Sequence, residues 1–600
     1  MIKEKIEKLI KDALKSLGLE DLNFVVEHPE DLKNGDYSTN VAMVCAKNLK
    51  TNPRELAENI VAELKNSPLA KGEVGGGLIH EIQIAGAGFI NFYLSREFFS
   101  NSIKEILEQK ENWGKNSFLA GKKVMVEYTD PNPFKPFHIG HLMSNAIGES
   151  ISRIFEFSGA HTVRANYQGD VGLHVAKAIY GILNDPLAFD TPPWQEEIGT
   201  MPASVQADYI GRFYAKGSDA YESDEKAKNE IDEINKKVYE KSDDEINKIY
   251  NWGRRVTLEA FEEIYKVLGT KFKYYFFESE MAPIGNKIVR ANMSKIFEES
   301  DNAIIFHAET YDPKLHTRVF VTSKNLPTYE AKEIGLTFTK FEKENPDISV
   351  VVTAHEQAEY MKVVAKAISL IHPEYENRMK HITHGMMRLA SGKMSSRKGN
   401  VVTGESLLHD SIDTIKEKIS ARGGPALGWK EVEVQEVSES VGVSALKYSI
   451  LRSSMGSDIV YDFEKSISFE GDSGPYLQYS AIRAKSVLAK AGDTNFGGKR
   501  SDLKNLERSV LEEPKEVSNL EKTLYRFPEV VVLSYQKFEP HHIATYLTEL
   551  ASSFNTFYTE TKIINEADKY SPYYLALTKA FLQTIQNGLW LLGITLPEKM

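Results

Sequence analysis

The segment 122–167 constrains the fold more than any other part of the sequence. Its first run, Lys122–Tyr128, is rich in β-forming residues, and the three prolines of Thr129–Pro136 exclude a helix interior. Apolar residues then recur at helical intervals over 142–157, before a Ser-Gly stop, and Thr162–Tyr167 is a second strand candidate. Strand, helix and strand at this spacing predict a βαβ unit. We therefore expect a parallel sheet that binds its ligands at the carboxyl ends of the strands.

Composition narrows the class of protein. The chain has 600 residues, 42% hydrophobic and 26% charged, with a net charge of −12, which is ordinary for a globular protein of several domains. Its single cysteine, Cys45, excludes an internal disulfide framework and a thiolate metal cluster. No apolar run reaches the roughly 20 residues of a membrane-spanning helix. Residues 1–17 predict an amphipathic helix rather than a signal peptide, so we expect a cytoplasmic protein with no membrane partner.

The residue pattern divides the chain into three regions. Residues 1–118 predict a small α/β module, residues 119–436 contain the βαβ unit, and residues 437–600 are mostly helical in pattern. A helical insertion is expected at about 183–275. Its densely charged part, 219–250, fits a solvated helical face, with a specific binding surface as the alternative. Three later β-rich runs are expected to continue the same sheet: Ala303–His307, Arg318–Val321 and Ile348–Ala354.

Two histidines stand where the first strand of the βαβ unit gives way to its helix. His138 and His141 are three residues apart, which places both imidazoles on one face of the first helical turn. Gly140 between them lets a flat ligand such as a purine approach the backbone. The helix N-terminus offers free N–H groups to a phosphate. The alternatives are paired surface histidines or a partial metal site, and no third ligand nearby supports a metal.

A basic loop at 392–400 is the second candidate for ligand binding. Lys393 is followed by Met394, Ser395 and Ser396, and then by two more cations. Ammonium and guanidinium groups beside hydroxyls suit a polyphosphate. A solvated basic turn is the alternative reading.

Together the two segments resemble the His-Ile-Gly-His and Lys-Met-Ser-Lys-Ser signatures of class I aminoacyl-tRNA synthetases. Within that class the chain is similar to arginyl-tRNA synthetases over nearly its whole length. The resemblance rests on four further segments: Val126–Pro133, Pro327–Tyr329 with Glu333, Phe469–Tyr479 and Asn587–Glu598. Matches in this order make accidental likeness improbable.

The resemblance implies a multidomain α/β fold. It consists of an N-terminal α/β tRNA-contacting domain, a Rossmann-like parallel-sheet catalytic domain and a C-terminal α-helical anticodon-binding bundle. The implied reaction has two steps: the carboxylate of L-arginine attacks the α-phosphorus of ATP to give arginyl-adenylate, and the arginyl group then passes to the terminal adenosine of tRNA(Arg). ATP with Mg²⁺ as its counter-ion is expected, together with no tightly bound metal and a monomeric protein.

The residues and the resemblance together predict the roles of individual side chains. The expected catalytic residues are His138, His141, Lys393 and Lys135. The expected ATP site consists of His138, Gly140, His141, Lys393, Met394, Ser395 and Ser396. For arginine, Glu127 and Glu333 are the guanidinium acceptors, Tyr329 lines the pocket, and Asn132 and Gln357 hold the backbone groups. Tyr476 and Tyr479 are expected to stack on tRNA bases. A structural salt bridge is the alternative for each of the two glutamates.

Two positions depart from the family pattern. Glu333 stands where aspartate is more usual, and Ser396 stands where the class has a lysine. Lys135 is the expected substitute for the missing ammonium, with Arg397 and Lys398 as rivals. A cysteine-activating synthetase is excluded in its usual form because its metal-binding cysteines are absent. The remaining alternative is a catalytically idle tRNA-binding paralogue of the same fold.

Overall fold

The structure is a computed structural model that describes residues 2–19, 23–66, 77–184, 197–390, 402–421, 428–492, 495–496, 499–500 and 511–600. Its centre is a sheet of five parallel strands in the order β12-β11-β5-β6-β7. The strands are Lys123–Glu127 (β5), His161–Gln168 (β6), Tyr274–Phe277 (β7), Ile348–Ala354 (β11) and Met379–His384 (β12). Val124, Met125 and Val126 are fully buried, as expected where helices cover both faces of a parallel sheet. The predicted parallel sheet is confirmed.

Two of the three later β-rich runs do not join this sheet, so that expectation is wrong for them. Ala303–Phe306 (β9) pairs antiparallel with Glu298–Ser300 (β8) and with Arg318–Val321 (β10) in a separate three-stranded sheet. Asp301 and Asn302 connect β8 to β9 with φ values of 51° and 59°. Such a two-residue turn can join only antiparallel strands, because a parallel pair needs a crossover of a dozen or more residues.

The helix that carries the histidine pair follows β5. It is Ile139–Phe157 (α5), and its length and position agree with the helical period of the sequence. Between β6 and β7, the described residues form four α-helices: Leu173–Leu183 (α6), Ala203–Ser223 (α7), Glu225–Glu240 (α8) and Asp244–Leu268 (α9). The apolar residues Ile231, Ile234 and Val238 of the charged helix α8 are buried in one cluster with residues of α6 and α7. The charged residues of α8 therefore surround an apolar stripe that packs inward.

The N-terminal region has its own sheet and its own hydrophobic core. The sheet order is β1-β2-β4-β3, with all neighbours antiparallel. Its elements are Ile2–Ser16 (α1), Val26–Glu27 (β1), Tyr37–Thr39 (β2), Val41–Leu49 (α2), Pro53–Asn66 (α3), Ile79–Ala85 (β3), Phe89–Leu94 (β4) and Arg96–Gln109 (α4). Tyr525 of the C-terminal region is buried in this core, and Glu529 accepts a hydrogen bond from the Tyr37 hydroxyl at 2.7 Å. The two ends of the chain are therefore in contact.

The remaining elements complete the region around the parallel sheet and form a helical bundle. They are Glu278–Ala291 (α10), Tyr329–Glu344 (α11), Ala358–Ile371 (α12), Met387–Leu389 (β13), Gly404–Ala421 (α13), Glu431–Leu451 (α14), Ile459–Tyr461 (β14), Phe463–Ser466 (α15), Gly474–Ala491 (α16), Asn495–Phe496 (β15), Lys499–Arg500 (β16), Asn519–Leu524 (α17), Phe527–Lys537 (α18), His541–Glu560 (α19) and Ser571–Leu591 (α20). The Lys447 ammonium joins the bundle to the parallel-sheet region by donating to the carbonyl oxygens of Leu268 and Gly593, each at 2.6 Å. No helix in the described part of the chain combines the length and apolar character needed to cross a membrane.

Candidate active site

A cavity of about 320 Å³ opens at the carboxyl ends of β5, β6 and β11. This is the sheet edge at which a parallel sheet binds ligands. The predicted site residues that line it are Glu127, Asn132, His138, Gly140, His141, Tyr329, Glu333 and Gln357. The structure thus brings together residues from three distant parts of the sequence.

The loop that follows β5 has an unusual backbone. Thr129 has φ of 82° and Asp130 has φ of 46°, and a β-branched residue in the left-handed region is a genuine outlier. The surrounding structure holds this conformation: the Thr129 N–H donates to Ser144 Oγ at 3.0 Å, and the Tyr167 N–H donates to Asp130 Oδ1 at 2.7 Å. Strained backbone of this kind concentrates at functional sites.

The two histidines are stacked at the start of α5. His138 is the N-cap residue, and its ring lies 3.4 Å from the ring of His141, centroid to centroid. The His138 backbone N–H donates to His141 Nδ1 at 3.2 Å, so the neutral His141 ring carries its hydrogen on Nε2. Burial lowers the pKa of His138 to about 4 and holds the pKa of His141 well below its usual value, with Lys135 contributing to both shifts. Both rings are therefore neutral at physiological pH and act as hydrogen-bond donors or acceptors.

Lys135 does not line the cavity. Its ammonium lies 5.3 Å from the centre of the Tyr214 ring on helix α7. Burial and the neighbouring Lys177 lower the pKa of Lys135, whereas Glu278 opposes that shift. The lysine is close enough to the histidines to depress their pKa values, so its expected role at the phosphates stays a prediction.

The cavity also has an acidic wall, formed by several of its lining carboxyl groups. Glu127 forms an ion pair with Lys340, and both side chains are only 2% exposed. The salt bridge that was the alternative reading of Glu127 is therefore present, although this glutamate also lines the cavity. Burial raises the pKa of Glu333, and the charge of Glu127 adds to the shift. Glu278 is a further buried wall residue and pairs with Lys332 at 2.6 Å.

Sequence reasoning missed Lys340, Glu278 and Asp130. Lys340 follows Glu333 by seven residues on helix α11, and this two-turn spacing places both on one face. That spacing was a usable signal for Lys340. Glu278 begins helix α10 and gave no comparable signal, because its role depends on the approach of α10 to the sheet edge.

The polar residues of the cavity differ in how firmly they are held. A Cβ atom on Gly169 would lie 2.2 Å from Asn132 Oδ1, so only glycine allows Asn132 its position. Gln357 lies exposed in a short turn of helix, His355–Gln357, directly after β11. Tyr329 begins α11 and is 60% exposed at the cavity mouth.

The basic loop with Lys393, Met394, Ser395, Ser396, Arg397 and Lys398 lies outside the described residues. The chain that follows it is described and is anchored beside the histidines. The Gly404 N–H donates to the Phe137 carbonyl oxygen at 2.8 Å, and a Cβ atom on Gly404 would lie 2.7 Å from the His138 carbonyl oxygen.

A second cavity, of about 580 Å³, contains both predicted tRNA-binding tyrosines. Tyr476 and Tyr479 line it together with Arg483. The Arg483 guanidinium lies 4.8 Å from the centre of the Tyr479 ring and 5.0 Å from that of Tyr558. Tyr479 is 38% exposed, so aromatic and cationic faces are available to a ligand at this surface.

One group of described residues places metal-ligand atoms close together. Side-chain atoms of Glu539, His541 and His542 lie within 4.8 Å of one another near the start of α19. None of the three lines either cavity. The group therefore has no part in the chemistry of the sheet edge.

Family models match the three regions of the chain. Residues 4–94 match the arginyl tRNA synthetase N terminal domain, residues 102–463 match the catalytic domain of class I (R) tRNA synthetases, and residues 477–600 match the DALR anticodon binding domain. An arginine–tRNA ligase from Clostridium perfringens is 30% identical over 99% of this chain and 100% of the relative. One from Fusobacterium nucleatum is 33% identical over 94% of this chain and 93% of the relative. The solved arginyl-tRNA synthetase of Thermus thermophilus has the same fold, with a TM-score of 0.77 and 22% identity over the full length of both chains.

Proposed function

Because the chain belongs to the arginyl-tRNA synthetase family, we propose that the cavity at the sheet edge activates L-arginine with ATP. The carboxylate of arginine attacks the α-phosphorus of ATP, the bond to the β-phosphate breaks, and arginyl-adenylate and pyrophosphate form. The arginyl group then passes to the terminal adenosine of tRNA(Arg), and AMP leaves. The overall activity is that of an arginine–tRNA ligase.

One observation carries the proposal: a single cavity joins an acidic wall to a helix N-terminus with two stacked imidazoles. Glu127 and Glu333 supply negative charge for a guanidinium. His138 and His141 line the same cavity at the positive end of the α5 dipole, which favours phosphate. A cationic amino acid and a polyphosphate thus find complementary charge at the two ends of one site.

The remaining wall residues are suited to orienting the amino acid. The side-chain amides of Asn132 and Gln357 can accept hydrogen bonds from the ammonium of an amino acid and donate hydrogen bonds to its carboxylate. Tyr329 at the mouth can close over the side chain. Orientation of this kind brings the carboxylate of arginine to the α-phosphorus and reduces the entropy lost in the reaction.

At the phosphates, preorganised donors stabilise the charge that develops in the transition state. We assign this role to His138, His141 and Lys393. Gly140 is proposed to lie against the purine of ATP. The other proposed ATP-binding residues are Met394, Ser395 and Ser396. The anchoring of Gly404 beside His138 supports the approach of the basic loop. Lys135 is proposed as the additional cation. ATP use belongs to class I synthetases, and we propose Mg²⁺ as the counter-ion of the nucleotide.

The bundle at 437–600 is proposed to hold the anticodon, with Tyr476 and Tyr479 stacking on unpaired bases and Arg483 adding a cation beside them. The region 1–118 is proposed as a further tRNA contact. The boundaries at 118 and 436, a monomeric state and a cytoplasmic location stay predictions. The curated relatives are ligases and support the active enzyme rather than an idle paralogue.

ATP–pyrophosphate exchange with each amino acid in turn, with and without tRNA, tests the proposal. Among the amino acids, only arginine should support pyrophosphate exchange. His141→Ala should lower the rate by about 10²- to 10³-fold, the range for removing one preorganised donor. The matched control, His161→Ala, removes an exposed histidine at the start of β6 and should leave the rate unchanged. Exchange driven by another amino acid, or none with arginine and tRNA, would refute the proposal.

A further inference from the structure

The acidic wall of the cavity has more carboxyl groups than lysine partners. Four carboxyl groups line it, those of Glu127, Asp130, Glu278 and Glu333. Glu127 pairs with Lys340 and Glu278 pairs with Lys332. Neither Asp130 nor Glu333 forms an ion pair with another described residue. The wall therefore has two carboxyl groups that a cationic ligand could partner.

Asp130 is held in a way that leaves one oxygen available. Its Oδ1 accepts the Tyr167 backbone N–H at 2.7 Å, while Oδ2 accepts no hydrogen bond from a described residue. The left-handed backbone of Thr129 and Asp130 fixes the carboxylate at the cavity wall. A strained conformation held by its surroundings is a preorganised one, which reduces the ordering needed when a ligand binds.

We propose that Asp130 is a specificity residue for arginine, and that its Oδ2 accepts the guanidinium together with Glu333. Lys340 already pairs with Glu127, whereas Asp130 and Glu333 have no ion-pair partner in the described part of the chain and add acceptors for a cation to the one that Glu127 provides. This inference rests on the proposed function. Two carboxylates around a planar guanidinium can accept its forked N–H donors, whereas the compact ammonium of lysine offers no such fork.

The electrostatics of the unliganded cavity agree with this assignment. Burial raises the pKa of Asp130 well above its usual value, and the charge of Glu127 adds to the shift. Burial and Glu127 likewise raise the pKa of Glu333. Both shifts indicate that negative charge is unfavourable here until a cation arrives. A cationic ligand favours the ionised form of both groups, whereas a neutral ligand of the same shape does not.

Asp130→Asn tests the inference, with arginine and citrulline as calorimetric probes of the full-length chain. Asparagine tolerates the left-handed backbone, and its carbonyl oxygen can still accept the Tyr167 N–H. Citrulline has the shape of arginine with a neutral urea. We expect the affinity for arginine to fall by about 10- to 100-fold, the range for losing one hydrogen bond to a charged group, while citrulline binding stays unchanged.

Asp347→Asn is the matched control, since Asp347 precedes β11 at the other end of the sheet and pairs with Lys122. It should leave both affinities unchanged. Arginine affinity within twofold of the unmodified chain, or equal losses for arginine and citrulline, would overturn the inference. If Asp130→Asn does not fold, Asp130→Ser provides the same comparison. Failure of the unmodified chain to bind arginine would instead overturn the proposed function.

Discussion

The substitution Gly169→Ala should impair the use of arginine, although the added methyl group need not contact the substrate. The Cβ atom of an alanine here would lie 2.2 Å from Asn132 Oδ1 and 3.2 Å from Glu278 Oε1. Its backbone φ lies outside the left-handed region, so alanine adds no backbone strain. The main effect of Gly169→Ala should therefore be the displacement of Asn132, the residue proposed to hold the backbone groups of arginine, with only a small shift of the Glu278 side chain.

The size of the effect follows from that distance. Restoring ordinary van der Waals separation requires Asn132 to move by about 1 Å, and a misplacement of about 1 Å in a positioning group costs about 10²-fold in rate. We expect kcat/KM for arginine in pyrophosphate exchange to fall about 10²-fold, equivalent to about 2.7 kcal/mol. KM for ATP should change little, because neither histidine is among the nearest atoms that a Cβ at Gly169 would meet.

A double-mutant cycle with Asn132→Ala shows whether the loss acts through Asn132. Because alanine at 132 removes the atom that clashes, Gly169→Ala should have almost no further effect in the Asn132→Ala background. Additive losses, or a Gly169→Ala enzyme within threefold of normal, would refute the steric argument.

Three further predictions concern other parts of the molecule. Lys135→Ala should strongly depress adenylate formation and Ser396→Lys should recover part of the loss in pyrophosphate exchange; additive effects would assign the role to another cation. Tyr479→Ala should raise KM for tRNA in aminoacylation and leave pyrophosphate exchange at saturating tRNA unchanged, and an unchanged KM would argue against stacking on a base. Burial raises the pKa of Glu333, and a bound guanidinium favours its ionised carboxylate. The affinity for arginine measured by calorimetry should therefore rise as the pH increases through that raised pKa. A flat or falling pH profile would contradict the assignment of Glu333.

Much of the fold could be predicted because it depends on local pattern. The run of β-forming residues in Lys123–Glu127 and the period of 3.6 in Ile139–Phe157 both reflect local backbone preferences, so strand, loop and helix follow from residues that are neighbours in sequence. The positions of His138 and His141 follow from the same local order. The membership of the chain in the arginyl-tRNA synthetase family, predicted from separated motifs, is confirmed by the family models that match residues 4–94, 102–463 and 477–600.

Sheet membership required long-range information. Ala303–Phe306 and Ile348–Ala354 are both short apolar runs, yet only the second lies in the central sheet. A strand's own residues specify its alternation and its burial. They do not specify its partner, which depends on the length of the connection and on the turn that precedes it.

Local sequence pattern was enough to predict the histidine pair and two of the acidic residues, whereas Asp130, Glu278 and Lys340 became part of the site only through folding. Glu127 and Glu333 look equivalent in the sequence as acceptors for a guanidinium. Packing gives Glu127 a buried partner in Lys340 and leaves Glu333 near Asp130, with no ion-pair partner among the described residues. The physical reason is that the strength of a charge in a protein depends on its desolvation and on its nearest counter-charge, and both are set by residues brought together only when the chain folds.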